Sequence, residues 1–272
     1  MFEVSWRGQG KKLLWQELWR YEFEEILPLD PIVIVPTGSI EQHGPHCPSD
    51  VDISIPFSIA TMAAQRITAF PVLVAPPIWW GLAHYNKGFP GTISLRTETY
   101  LHLVEDICTS LWENGFKRIV LLNGHGGNAA PNRVVRDTLT ERDIFVIAYS
   151  WWESVDDFIT KNSDTDSDVG HGGEWETSVQ LFLREHLISV PHIGADVPLT
   201  NPFDTQTSCF ATFAERRRDT RNGTGIMGNA RGGTKEKGKA IIDLAVDRLS
   251  SLAKQFRDEP IHRYREFGSH CP

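Results

Sequence analysis

The 272-residue sequence predicts an α/β protein, a three-layer sandwich in which helices cover both faces of a mostly parallel β-sheet. Two observations carry this. Short apolar runs alternate with longer stretches of helical spacing, and turn residues bracket each run, as βαβ crossovers require. "DPIVIVPTG" (30–38) reads as the first strand. "DISIPFSIATMAAQRI" (52–67) follows with helical spacing, and "FPVLVAPPI" (70–78) is the second strand. In "RTETYLHLVEDICTSLWENGF" (96–116), Leu101, Val104, Ile107, Cys108 and Leu111 share one stripe, and Gly115 marks the stop. "KRIVLLNG" (117–124) is the third strand, "PNRVVRDTLTER" (131–142) the next crossover helix and "DIFVIAYSWW" (143–152) the fourth strand. A last long helix is expected over 234–257, with Ile242, Ala245, Leu249, Leu252, Ala253 and Phe256 facing inward.

No internal repeat or linker interrupts this pattern, so one domain over 1–272 is expected, with the polar run 160–168 as an exposed loop. Hydrophobic residues make up 40% and charged residues 23%, an ordinary globular balance. A formal charge of −8 argues against a nucleic-acid partner. No window approaches the roughly 18 apolar residues a membrane helix needs, so no membrane partner is expected. The N-terminus lacks a basic start joined to an apolar run, and the four cysteines form no CxxC pair. A reducing cytoplasm is therefore the expected location.

In an open α/β sheet, functional groups gather beyond the carboxyl ends of the strands. Four polar clusters of this chain fall there, residues 38–52, 79–92, 123–128 and 150–153, one after each strand. "PTGSIEQHGPHCPSDVD" (36–52) follows the first strand. Glu41 and His43 flank Gln42, and Asp52 opens the next helix; carboxylate plus imidazole suits zinc, manganese or iron. Asp52 would serve equally well as a helix cap. "LLNGHGGN" carries His125 between glycines at the end of the third strand, although Gly124, Gly126 and Ala129 also fit a dinucleotide-binding turn. That alternative expects an acidic residue about twenty positions on, whereas Glu153 stands nearly thirty away. "GHGGEWETS" (170–178) supplies His171, Glu174 and Glu176 just before a helical stretch. Either carboxylate could simply favour the helix dipole, whereas nothing local requires an imidazole at 171, which suits a proton shuttle. Trp152 is the expected flat wall against a substrate, and His84, in "GLAHYNKGFPG", is expected to contact substrate or a neighbouring subunit.

Taken together, "GSIEQHGPHCPSDVD", "NGHGGN" and "HGGEWETS", in this order, resemble the creatininase (creatinine amidohydrolase) family. "GFPGTISL" (88–95) and "GNARGGTKEKG" (228–238) extend the resemblance over roughly residues 30–240. It implies a hydrolase holding two divalent ions (Zn, Mn or Fe), acting on a small-molecule substrate, and assembled as a homo-oligomer, a hexamer by family habit. Carried over by position, Glu41 and His125 bind one ion, His43 the other, and Asp52 bridges. The family's glutamate in the "NGH" segment is replaced by Gly127, so another carboxylate must serve; Glu174 is the expected substitute and Glu176 the fallback. Two cations sharing a water would generate hydroxide near neutral pH to attack a carbonyl, most simply of a cyclic or linear amide, with His171 protonating the leaving nitrogen. The alternative is the same scaffold cleaving a non-amide substrate, such as a C–C bond beside a ketone in a sugar-like ring.

Overall fold

A computed structural model describes residues 12–164, 170–194 and 224–261. Strands β1 (Ile32–Thr37), β2 (Val72–Val74), β3 (Arg118–Asn123) and β4 (Val146–Ser150) form one parallel sheet in the order β2-β1-β3-β4. The helices are α1 (Arg20–Ile26), α2 (Val51–Arg66), α3 (Thr97–Glu113), α4 (Ala129–Thr140), α5 (Asp156–Asn162), α6 (Glu174–Arg184) and α7 (Lys235–Asp258).

The near-continuous apolar runs exist because both faces of the sheet are covered. Every residue of β1, β2 and β3 is buried. Ile32, Ile34, Val120 and Leu122 point one way, into a core with Ile59 and Ala63 of α2, Val179 of α6 and Leu249 of α7. Val33, Val35, Ile119 and Leu121 point the other way, against Val104 and Cys108 of α3 and Leu139 of α4. The three expected layers are present. Among the described residues, no helix is long and apolar enough to cross a membrane.

Some boundaries differ from the sequence reading. The second strand pairs only over Val72–Val74, since Pro71, Pro76 and Pro77 have no N–H to give a ladder. Pairing resumes briefly at Ile78, whose N–H donates to the Pro36 carbonyl at 2.9 Å. The expected loop 160–168 begins inside α5, and its residues 165–168 lie outside the described residues. Cys108 is buried and Cys47 half-buried, while Cys209 and Cys271 lie outside the described residues.

Strand order reverses between β1 and β3, so the segments leaving their carboxyl ends part and open a crevice. The two strands finish level, Thr37 opposite Asn123. Just beyond them, Gly38 and Gly124 close over the start of α2. A Cβ at either position would fall 2.3 or 2.0 Å from the Asp52 carbonyl oxygen, so only glycine fits. Pro56, one turn on, has no N–H to donate to that carbonyl. A close backbone approach thus seats Asp52 where the two strands end.

Candidate metal centre

Glu41 and His43 lie on the loop between β1 and α2, Asp52 in the first turn of α2, His125 just past β3, His171 just before α6 and Glu176 in its first turn. All six are buried. Their backbones are held tightly. The Glu41 N–H donates to the Ser49 carbonyl at 3.0 Å, and His171 exchanges both backbone hydrogen bonds with Met227, at 2.8 and 2.7 Å. The His125 N–H donates to Asn123 Oδ1 at 3.1 Å, and the Asn123 amide reaches the His125 carbonyl at 2.7 Å.

Each histidine spends one ring nitrogen on a backbone carbonyl. His43 Nδ1 lies 3.2 Å from the Glu41 carbonyl, His125 Nε2 3.1 Å from the Leu82 carbonyl, and His171 Nε2 2.6 Å from the Gln42 carbonyl. Those nitrogens therefore carry the protons, and in the neutral rings the lone pairs turn inward. His43 Nε2 lies 3.1 Å from Asp52 Oδ1 and 3.7 Å from Glu176 Oε2. His125 Nδ1 lies 3.1 Å from Asp52 Oδ2 and 3.4 Å from Glu41 Oε1. His171 Nδ1 lies 3.4 Å from the same Glu41 oxygen, with its ring 4.1 Å from that of His43.

Acceptors thus face acceptors. Both Glu41 carboxylate oxygens and Asp52 Oδ2 are buried without a hydrogen-bond donor. Buried carboxylates are costly unless paired or coordinated, and this set of donor atoms fits divalent cations. Two groupings share Asp52: Glu41–Asp52–His125 and His43–Asp52–Glu176. A third is Glu41–His43–His171.

Without a cation the cluster compensates with protons. Burial lowers the His43 imidazole, but the Asp52 and Glu176 carboxylates outweigh it and raise it to about 9. His125 is likewise raised, Glu41 and Asp52 overcoming burial. Burial pushes the Glu176 carboxyl up to about 7, against the pull of His43. Asp52 is also opposed by burial, yet the two histidines hold it well below the usual carboxylate range.

Beside the cluster opens a cleft of about 530 Å³, lined by Glu41, Asp52, His125, His171 and Glu176 within and by Trp152, Glu153, Asp156 and Met227 on its outer walls. Trp152 is half-buried and meets the buried Trp151 edge-on at 6.0 Å.

The structure leaves two of the expected residues outside the cluster. Glu174 does not enter the cluster. Its buried carboxylate accepts from Lys237 Nζ at 2.6 Å and from the Asp164 N–H at 3.1 Å, with Gly232 behind it. Glu176, the fallback, faces the cluster instead, steadied by the Gly172 N–H at 2.5 Å. Residues two apart on a helix differ by about 200° in direction, so only one of the pair can face the cluster. His84 is exposed, with Nδ1 3.2 Å from Ser94 Oγ, and is not among the residues that line the cleft. Sequence reasoning gave no part to Asp156 or Met227, and Asn123 entered only as part of a motif. Asp156 and Met227 lack a local signature, and the role of Asn123 depends on the register that sets it beside Thr37.

The family model for creatinine amidohydrolase matches residues 16–253. The chain belongs to the creatininase family. Creatinine amidohydrolase of Pseudomonas putida is 28% identical over 262 residues, covering 90% of this chain and 95% of that protein. The mycofactocin precursor peptide peptidase of Mycolicibacterium smegmatis is 32% identical, covering 84% and 87%. The 3-dehydro-scyllo-inosose hydrolase of Thermotoga maritima is 30% identical over a shorter stretch, 60% of this chain and 53% of its own. Among solved structures, a manganese form of creatininase superposes with a TM-score of 0.77 at 27% identity, covering 90% of this chain and 98% of that one. A Zn-Zn form superposes at 0.75 with 27% identity and the same coverage. The chain is accordingly a metal-dependent hydrolase of the creatininase family, and its clustered His, Glu and Asp residues suit divalent metal ions.

Proposed function

We propose that this hydrolase cleaves a C–N amide bond at a two-metal centre, with Glu41, Asp52 and His125 holding one divalent ion and His43, Asp52 and Glu176 the other. The carrying observation is the division of the Asp52 carboxylate, one oxygen toward His43 and the other toward His125. A pair of divalent ions supplies hydroxide at neutral pH and polarises a carbonyl. His171 then works from Nδ1. That nitrogen accepts the nucleophile's proton and returns it to the leaving nitrogen, because Nε2 is already committed to the Gln42 carbonyl. Trp152 stacks on the flat part of the substrate, and the buried base of the cleft keeps bulk water from competing. Two of the three relatives are named for amide or peptide substrates, which favours C–N cleavage.

Metal analysis with an amide panel tests the reading. Two ions per chain and turnover that disappears on chelation and returns on reloading are expected. His171→Ala is expected to lose roughly 10²–10⁴-fold in kcat while keeping its metals; unchanged turnover would remove the proton-carrier role. A second reading is favoured by the similarity to the inosose hydrolase: cleavage of a C–C bond beside a ketone in a sugar-like ring. Cyclic ketones screened beside the amides separate the two. We further read the protein as a cytoplasmic homo-oligomer. The exposed Trp79, Trp80 and Ile93 give apolar surface for subunit contacts, and light scattering returning a monomer would end that part.

A further inference from the structure

We infer that Gln42 and Asn86 are positioning residues that lock His171 in its Nε2–H tautomer and so aim the Nδ1 lone pair at the reacting centre. The inference rests on His171 being the proton carrier of the proposed reaction. It adds a device built from two residues whose own side chains ligate no metal.

The tautomer follows from donor bookkeeping around one amide. The Gly44 N–H can only donate, and it reaches Gln42 Oε1 at 2.8 Å, which fixes the orientation of that side-chain amide. Gln42 Nε2 then has two hydrogens, and two acceptors stand ready: Asn86 Oδ1 at 2.9 Å and the Gly225 carbonyl at 3.1 Å. His171 Nε2 also lies near both amide nitrogens, 3.0 Å from Gln42 Nε2 and 3.4 Å from Asn86 Nδ2. At 2.6 Å from the Gln42 carbonyl, however, an unprotonated Nε2 would set lone pair against lone pair. A protonated Nε2 donates there and leaves the Gln42 amide hydrogens to their own acceptors. The Gln42 side-chain amide and His171 Nε2 are then both satisfied, as burial demands.

The surrounding chain keeps this arrangement stiff. Asn86 is buried at the end of a short helical turn after β2, although its neighbours His84 and Tyr85 are exposed. The Gln42 N–H is tied to Thr92 Oγ1 at 3.2 Å. Gly225 has a positive φ of 76°, and a Cβ there would stand 2.3 Å from Gln42 Oε1, so the clamp leaves room for glycine alone. His171 is pinned by its backbone exchange with Met227. Segments near 42, 86, 171 and 225 therefore converge on one imidazole nitrogen.

The tautomer can be read directly. In zinc-loaded protein carrying ¹⁵N-histidine, long-range ¹H–¹⁵N correlations should show His171 protonated at Nε2, assigned by the loss of its signals in His171→Gln. Asn86→Leu, which removes the acceptor, should lower kcat by ~10–100-fold, the range typical of outer-shell partners of such histidines. KM should stay within about twofold, and the metal content should not change. Asn86→Asp keeps an acceptor and should recover most of the loss. Should Asn86→Leu fail to fold, Gln42→Glu preserves the bond from Gly44 and sets an acceptor 3.0 Å from His171 Nε2, and its His171 should stay protonated at Nε2. A wild-type His171 protonated at Nδ1 would overturn the inference, as would Asn86→Leu with full kcat or a loss appearing only in KM. If no amide is hydrolysed at all, the proposed reaction falls, whereas the tautomer of the wild-type protein still decides this inference.

Discussion

Replacing Glu174 by Gln separates the two neighbouring carboxylates of α6. The Glu174 side chain is 1% exposed, and its partner Lys237 is 22% exposed and also bonded to Asp164 and the Gly232 carbonyl. Removing one partner of a buried ion pair costs about 3–5 kcal/mol when the other is stranded. Here Lys237 is partly solvated and keeps Asp164, while glutamine can still accept the N–H of Asp164. The expected cost is therefore lower, about 1–3 kcal/mol. At roughly 2–4 °C per kcal/mol for a domain of this size, the melting temperature should fall by about 2–12 °C. Metal content at saturation should not change. Glu176→Gln should do the reverse, losing one of two ions per chain with little loss of metal-free stability, because it removes a carboxylate that burial disfavours. Differential scanning calorimetry on metal-free protein and mass-spectrometric metal counts on loaded protein measure both quantities. A Glu174→Gln variant that folds as well as wild type yet loses an ion would refute the placement of these two side chains.

Gly124→Ala should cost about 1–3 kcal/mol and impair metal loading, since its Cβ would meet the Asp52 carbonyl at 2.0 Å and neither backbone can yield freely; denaturant titration with metal counting tests this. Burial, reinforced by His43, lowers His46 to about 4, while its Nε2 stays 2.8 Å from Thr177 Oγ1. The unfolded chain takes up that proton near pH 6.5 and the folded one not until about 4, so His46 lowers stability as pH falls through this window, by up to ~3 kcal/mol. Subtracting the urea-unfolding profile of His46→Gln from that of wild type should isolate this acid limb; superimposable profiles would count against it. Trp152→Ala should raise KM by ~5–20-fold with kcat nearly unchanged if the ring supplies uniform binding, and a fall in kcat alone would assign it another role.

The layers and four of the clustered residues were legible because they rest on local patterns. Val- and Ile-rich runs become buried parallel strands, and polar residues placed after them meet at one sheet edge. Glu41, His43, Asp52 and His125 follow directly from that rule. The choice between Glu174 and Glu176 does not, because it depends on which side of α6 faces Lys237 of α7 some sixty residues later. Nor does the place of Asn86, since its bond to Gln42 spans a crossover that no local spacing encodes. The trimming of β2 by its prolines and the helix α5 were missed for the opposite reason: these stretches are too short for periodicity to register.

The most direct measurement is anomalous diffraction from crystals soaked in manganese. The account predicts two peaks flanking the Asp52 carboxylate, one beside Glu41 and His125 and the other beside His43 and Glu176. A single peak, or a second one beside Glu174 and Lys237, would contradict it.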